Sequence, residues 1–172
     1  RRWKVLLNYY RGGNLIDLGC LDSLVPVMAI ERYPNAEIWG LDHASEAIAE
    51  MEKQFPGIRW VVGDIYKTRF PDSYFRYVVL GEVIEHLETP ILAIHEAMRI
   101  LKSGGTLVLS TPNEETKLGE VDKHHHLWSY SIADVRRMLS PYGRVKIKIL
   151  GSRYFPVYKY QFPSIIAYCF KN

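Results

Sequence analysis

Residues 14–23 read Asn14-Leu15-Ile16-Asp17-Leu18-Gly19-Cys20-Leu21-Asp22-Ser23. The first five are a short apolar run holding one acid, the pattern of a buried strand. Gly19 then makes a tight turn, and a residue without a Cβ lets backbone approach a ligand closely. Leu24–Tyr33 follows as a helix, with Pro26 tolerated because it falls in the first turn. One such strand–glycine–helix unit is common and by itself identifies nothing.

The same alternation continues outward. Glu37–Leu41 and Ile58–Val62 read as strands around a helix over Ser45–Phe55, whose Ala47, Ile48, Met51 and Phe55 share one face. Tyr77–Leu80 is a fourth strand, apolar throughout, and Pro90–Leu101 is a helix with Ile91, Ile94, Ala97, Met98 and Leu101 on one stripe. Ser103-Gly104-Gly105 breaks the chain before a fifth strand, Thr106–Leu109. A polar loop over Thr111–Leu127 leads to a helix over Ser131–Leu139, with Ser131 as its N-cap. Val145–Leu150 alternates as a half-exposed strand does, and Ser164–Phe170 is the last strand. Strand–helix alternation predicts an α/β fold with an open, mostly parallel sheet and helices on both faces. Such sheets bind ligands beyond the carboxyl ends of their strands, so the residues that follow each strand matter most.

The 172 residues suit one domain over 1–172. The chain opens on Arg1 rather than Met, which leads us to expect a preceding segment in the whole protein. A net charge of +3 falls short of the clustered excess of a dedicated nucleic-acid binder, so nucleic acid is a secondary expectation as partner. Cys20 and Cys169 stand far apart with no ligand spacing, and a reducing, cytoplasmic setting is the default. No apolar run reaches membrane-span length and no signal peptide is visible, so no membrane partner is expected. Oligomeric state is not legible.

Asp17 and Gly19 belong to the first strand and its turn. Asp42 follows the second strand, where an acid accepts from both hydroxyls of a ribose; the plainer role is the N-cap of the next helix. After the third strand comes Gly63-Asp64-Ile65, an acid beside an apolar residue, suited to the amine and face of adenine; the plainer role is a turn aspartate. After the fourth comes Gly81-Glu82-Val83-Ile84-Glu85-His86-Leu87. If this segment begins a helix, Glu82, Glu85 and His86 share one face. The plainer role is a solvated helix start, where acids favour the dipole.

The joint order of these residues resembles class I S-adenosylmethionine-dependent methyltransferases of the small-molecule type, with their Glu-Val-Leu-Glu-His signature. The matching segments are Ile16–Ser23, Gly40–Asp42, Val62–Asp64, Tyr77–Leu87, Ala93–Asn113 and His126–Ser131. The resemblance covers roughly residues 12 to 150. It implies a Rossmann-like, seven-stranded, mostly parallel sheet with an antiparallel last strand, and methyl transfer from S-adenosyl-L-methionine to a small-molecule acceptor. It further implies cofactor contacts from Asp17, Gly19, Cys20, Asp42, His43, Asp64, Ile65 and Gly81. Glu82 and His86 become the catalytic candidates, His86 as general base, with no metal. The alternative for His86 and Glu85 is structural packing at the strand–helix junction.

Leu21 stands where the family usually has glycine, and Ser23 where it often does. Two other readings therefore stay open. Glu82-Val83-Ile84-Glu85-His86, Thr111-Pro112-Asn113 and His124-His125-His126 are also similar to metal-dependent RNA 2′-O-methyltransferases of small-RNA ends, whose pattern implies a divalent ion gripping two sugar hydroxyls. A non-catalytic member that uses the fold as a partner surface is the third. The aromatic residues Trp128, Tyr130, Tyr154, Phe155, Tyr158 and Tyr160 suit either acceptor stacking or a core.

Overall fold

A computed structural model of the chain describes residues 2–21, 23–113, 126–151 and 163–172. His124, His125, Tyr154, Phe155, Tyr158 and Tyr160 lie outside the described residues. Seven strands form one sheet: β1 (Leu15–Leu18), β2 (Ile38–Asp42), β3 (Arg59–Val62), β4 (Phe75–Gly81), β5 (Leu101–Pro112), β6 (Gly143–Leu150) and β7 (Ser164–Lys171). Their order is β3-β2-β1-β4-β5-β7-β6. β1 to β5 run parallel to their neighbours, and β7 inserts antiparallel between β5 and β6. The mostly parallel sheet is as the strand–helix alternation predicts, and the antiparallel last strand is as the resemblance implies.

The period-two alternation of strands builds the two sides of the core. Along β4, Val78 and Leu80 face a cluster closed by α4 (Pro90–Ile100) and α5 (Ile132–Leu139). Tyr77 and Val79 face a second cluster closed by α2 (Val25–Arg32), α3 (Ser45–Gln54) and a short α1 (Arg2–Leu6). Burial on both faces explains why β1 is apolar except for Asp17. α5 begins with a reciprocal capping box, in which Ser131 accepts from the Asp134 amide at 3.1 Å and Asp134 accepts from the Ser131 amide at 3.1 Å. Cys20 and Cys169 are both buried free thiols. Among the described residues no helix is long and apolar enough to cross a membrane.

Two features depart from the sequence reading. α1 has only five residues, too few for a helical period to register. Tyr77 and Tyr168 fasten it to the sheet, their hydroxyls donating to the Leu6 and Val5 carbonyls at 2.6 and 2.5 Å. Ser103-Gly104-Gly105 does not end a segment, because β5 runs through it. Phe75 pairs with Leu101 but Tyr77 with Thr106, so the extra residues bulge out, with Gly104 at φ +73°.

A buried ion network sets the chain that follows β3. Glu96 of α4 accepts from the amide and hydroxyl of Thr68 at 2.8 and 2.7 Å, and Arg99 closes on its other side at 2.8 Å. Hydrogen bonds from Arg99 hold the Glu96 carboxyl down at about 2, against the cost of burial and with help from Thr68. Its folded pKa lies below the ordinary 4.5, so the stability it contributes is present above that value and fades as pH falls towards 2. Glu96→Gln is expected to lower stability by about 2 kcal/mol at pH 7. Denaturant melts at pH 7 and pH 3 check this, and the gap between the two proteins must shrink in acid.

Candidate active site

The carboxyl ends of β1 to β4 open into one cavity of about 780 Å³. That lies within the roughly 300–1,000 Å³ typical of small-molecule sites. Strand order lays its wall out in a line. Asp64, Ile65 and Tyr66 follow β3, and Asp42 and His43 close and follow β2. Gly19, Leu21 and Ser23 follow β1, and Gly81, Glu82, Val83, His86 and Leu87 close and follow β4. Trp3 of α1 completes the wall.

Gly19 has two reasons to be glycine. Its φ is +77°, and a Cβ there would lie 2.7 Å from Val83 Cγ2. The Gly19 amide donates to the Leu41 carbonyl at 2.8 Å, which ties the turn to β2. Asp42 is buried; its Oδ1 accepts from the Ala44 amide at 3.2 Å and lies 3.0 Å from His43 Nδ1. The α3 N-cap is Ala44 rather than Asp42, so the carboxylate braces the turn from outside the helix. Asp64 is exposed and accepts from the Tyr66 amide at 2.8 Å. Ile65 beside it is half-buried against the core.

Asp17 and Cys20 lie behind the cavity wall, both fully buried. A Cβ on Gly40 would come within 2.9 Å of the Cys20 sulfur, which marks that thiol as packed under β2. Neither Asp17 oxygen has a hydrogen-bond partner among the described residues. Burial pushes the Asp17 pKa up to about 7, the nearby Ser23 hydroxyl pulls it back, and the Asp42 carboxylate adds to the rise.

The segment after β4 departs from the expected helix with Glu82, Glu85 and His86 on one face. Gly81 still pairs with Ser110, and the Glu82 amide donates to the Ser110 carbonyl at 2.9 Å. Glu82 then turns left-handed at φ +58°, a conformation no right-handed helix accepts. Only Ile84–His86 is helical, as one tight 3₁₀ turn. Glu82 and His86 reach the cavity while Glu85 points inward, 1% exposed, its Oε2 accepting from the Thr111 hydroxyl at 3.1 Å. The loop after β5 closes on this turn. The Leu127 and Trp128 amides donate to the Glu85 carbonyl at 2.8 and 3.2 Å, and Trp128 Nε1 donates to the Leu87 carbonyl at 2.8 Å. This brings the His126 ring within 4.9 Å of the His86 ring, edge to face.

Sequence reasoning missed Trp3, Tyr66, Val83 and Leu87 as wall residues. In the sequence, His126 and Thr111 join the Glu85–His86 turn only through the resemblance to the metal-dependent methyltransferases, not from the strand pattern. A signal existed for that pair, because β4 and β5 are adjacent parallel strands whose following loops must converge.

Fold and site together define an open α/β domain with a cavity and an acidic row along the carboxyl edge of its sheet, where such sheets bind their ligands. Residues 16–109, more than half of the chain, match the family described as Methyltransferase domain, and the chain belongs to that family. It is 31% identical to an uncharacterized methyltransferase of Schizosaccharomyces pombe over 102 residues, 53% of this chain and 37% of that protein. It is 30% identical to a trans-aconitate 2-methyltransferase of Acidovorax over 103 residues, 58% of this chain and 38% of that protein. The chain thus spans less than two fifths of the length of these relatives. A SAM-dependent methyltransferase from Archaeoglobus fulgidus shares the fold with a TM-score of 0.77 at 15% identity, over 99% of this chain and 95% of that one.

The Asp17 carboxyl makes a testable contribution to pH dependence. Its folded pKa of about 7 exceeds the ordinary 3.8, so the unfolded chain ionises first and stability falls as pH rises between those values. Asp17→Asn is expected to flatten this slope, gaining on the parent by up to roughly 4 kcal/mol between pH 4 and pH 8. Chemical denaturation across that range measures the gap. A gap that does not change with pH contradicts it.

Proposed function

We propose that the chain is an S-adenosyl-L-methionine-dependent methyltransferase acting on a small-molecule acceptor. The observation that carries this is the row of carboxylates at the carboxyl ends of adjacent parallel strands: Asp64, Asp42, buried Asp17 and Glu82. Such a row suits a ligand that is a nucleoside at one end and a cation at the other. Asp42 would hold the ribose hydroxyls, with His43 beside it, and Asp64 with Ile65 would hold adenine. The methionine end would pass over Gly19, where a Cβ would press on Val83, towards Gly81, above the buried Asp17 carboxyl. A buried acid whose oxygens have no hydrogen-bond partner within bonding distance among the described residues fits a close-lying cationic group.

When bound, this cofactor supplies a methyl group already activated on sulfonium. The protein's share is to orient the acceptor and keep the site dry. Trp3, Val83 and Leu87 give the cavity apolar wall. Glu82 and His86 line the β4 side of the cavity, and in this reading they would bind the acceptor and receive its proton. The trans-aconitate specificity named for the Acidovorax relative supports a small-molecule acceptor.

Titration with S-adenosylhomocysteine tests the reading. Asp42→Ala is expected to weaken binding roughly ten- to hundredfold, the loss of hydrogen bonds from a charged acceptor. An unchanged dissociation constant removes Asp42 from the ribose role. Leu21 lines the cavity where the family usually has glycine. Leu21→Gly is expected to preserve or tighten binding, and a clear loss would show that the leucine side chain grips the ligand.

A further inference from the structure

We infer that the outer edge of β6 is a docking site for an acidic, extended segment of a partner protein, which adds to the sheet as a further strand with acids at every second residue. β6 ends the sheet and pairs with β7 alone. Alternate backbone amides and carbonyls along its eight residues therefore point away from the sheet, a ready template for another strand. The opposite edge strand, β3, has only four residues. No β6 residue lines the cavity, so the site stands whether or not the cofactor reading holds.

Charge decides what fits that edge. Side chains alternate along β6, with Arg144, Lys146 and Lys148 on one face and Val145, Ile147 and Ile149 on the other. The three cations are exposed, and none makes an ion pair among the described residues. Aromatic rings hold two of them in place. Arg144 Cζ lies 4.7 Å from the centre of the Phe170 ring, and Lys146 Nζ lies 5.4 Å from that of Tyr9 and 5.9 Å from that of Phe170. Tyr9 in turn packs edge-on against Tyr168 and Phe170, which brings the segment after α1 onto β7. Residues 3–14, 143–150 and 163–172, which meet here, carry Lys4, Arg11, Arg144, Lys146, Lys148 and Lys171 and no acid. The whole chain has 22 cations and 19 acids, so positive charge is gathered in these segments and the remainder is net negative.

Cations on an edge strand ordinarily guard against aggregation. The same stripe also selects a partner. The β6 edge of a second copy would set like charges side by side, whereas an acidic strand meets opposite charge. Alternate residues of a strand stand about 7 Å apart, so acids at every second position of an extended peptide keep step with the three cations. The peptide's other residues fall beside Val145, Ile147 and Ile149, where Ile149 is 45% exposed, and apolar side chains suit that face. A nucleic-acid strand matches the charge alone. It has no peptide backbone to pair with the edge, and the cations already cover the Tyr9 and Phe170 rings on which bases would stack.

The test is fluorescence anisotropy of labelled, end-capped peptides with the full chain at low ionic strength. A peptide of repeating Glu-Val is expected to bind saturably, and Lys146→Glu to weaken it roughly tenfold or more. The N-methylated form of that peptide keeps the charge but has no backbone donors, and is expected to bind roughly tenfold or more weaker. Lys146 is exposed, so its reversal leaves the fold intact, with circular dichroism as the check. Hydrogen exchange at β6 amides is expected to slow when the Glu-Val peptide is bound. Absent binding, equal binding of the N-methylated form, or binding unchanged in Lys146→Glu overturns the site. Oligouridylate that binds more tightly than the peptide, and loses affinity in Lys146→Glu, overturns the choice of partner and assigns the stripe to nucleic acid.

Discussion

Parallel pairing of β1 with β2 on one side and with β4 on the other is the constraint from which the site follows. Asp17 sits level with Gly40 and with Val79, so three strands end close together and their connecting turns crowd one edge. β3 joins in the same sense, placing Val62 level with Asp42. Parallel strands buried on both faces must be apolar, and polar residues are then pushed to the strand ends. A row of acids along the carboxyl edge is the chemical consequence. Asp17 is the exception, kept inside the sheet at an electrostatic cost visible in its raised pKa.

The turn after β4 is the second centre of the account. A non-glycine residue at positive φ costs of order 1–3 kcal/mol and persists only where its surroundings over-determine it. Here the surroundings are the continuing bond to Ser110, the packing of Val83 against Gly19, and the loop that docks on Glu85. Residues from β1, β4 and β5 therefore meet at one strained joint. A single ordinary helix in its place would have sent Glu82, Glu85 and His86 the same way. The strained turn instead divides them between the cavity and the interior.

Much of this was legible in the sequence, for an identifiable reason. Asp42, Asp64 and Gly81 sit at strand ends, and strand period and turn residues mark strand ends well. The amphipathic stripe over Ile91–Leu101 placed α4 almost to the residue. What was not legible depends on conformations that periodicity does not encode. Glu82 carries no sign of its left-handed backbone, so the helix expected there was wrong. Gly104 hides a bulge that looked like a break. Trp3 reaches the cavity from a helix too short to be periodic, held by tyrosines on distant strands. The Glu85–Thr111–His126 meeting needs the β4–β5 adjacency, a tertiary fact, and only the resemblance to metal-dependent methyltransferases brought those segments together beforehand.

The central claim is that one ligand lies along the carboxyl edge from β3 to β4. Backbone amide shifts followed by nuclear magnetic resonance during addition of S-adenosylhomocysteine test it most directly. The account predicts saturable shifts concentrated at Gly19, Asp42, Asp64 and Gly81, with the β6 strand, Gly143–Leu150, undisturbed. Saturable shifts elsewhere, or none in a folded sample, would contradict it.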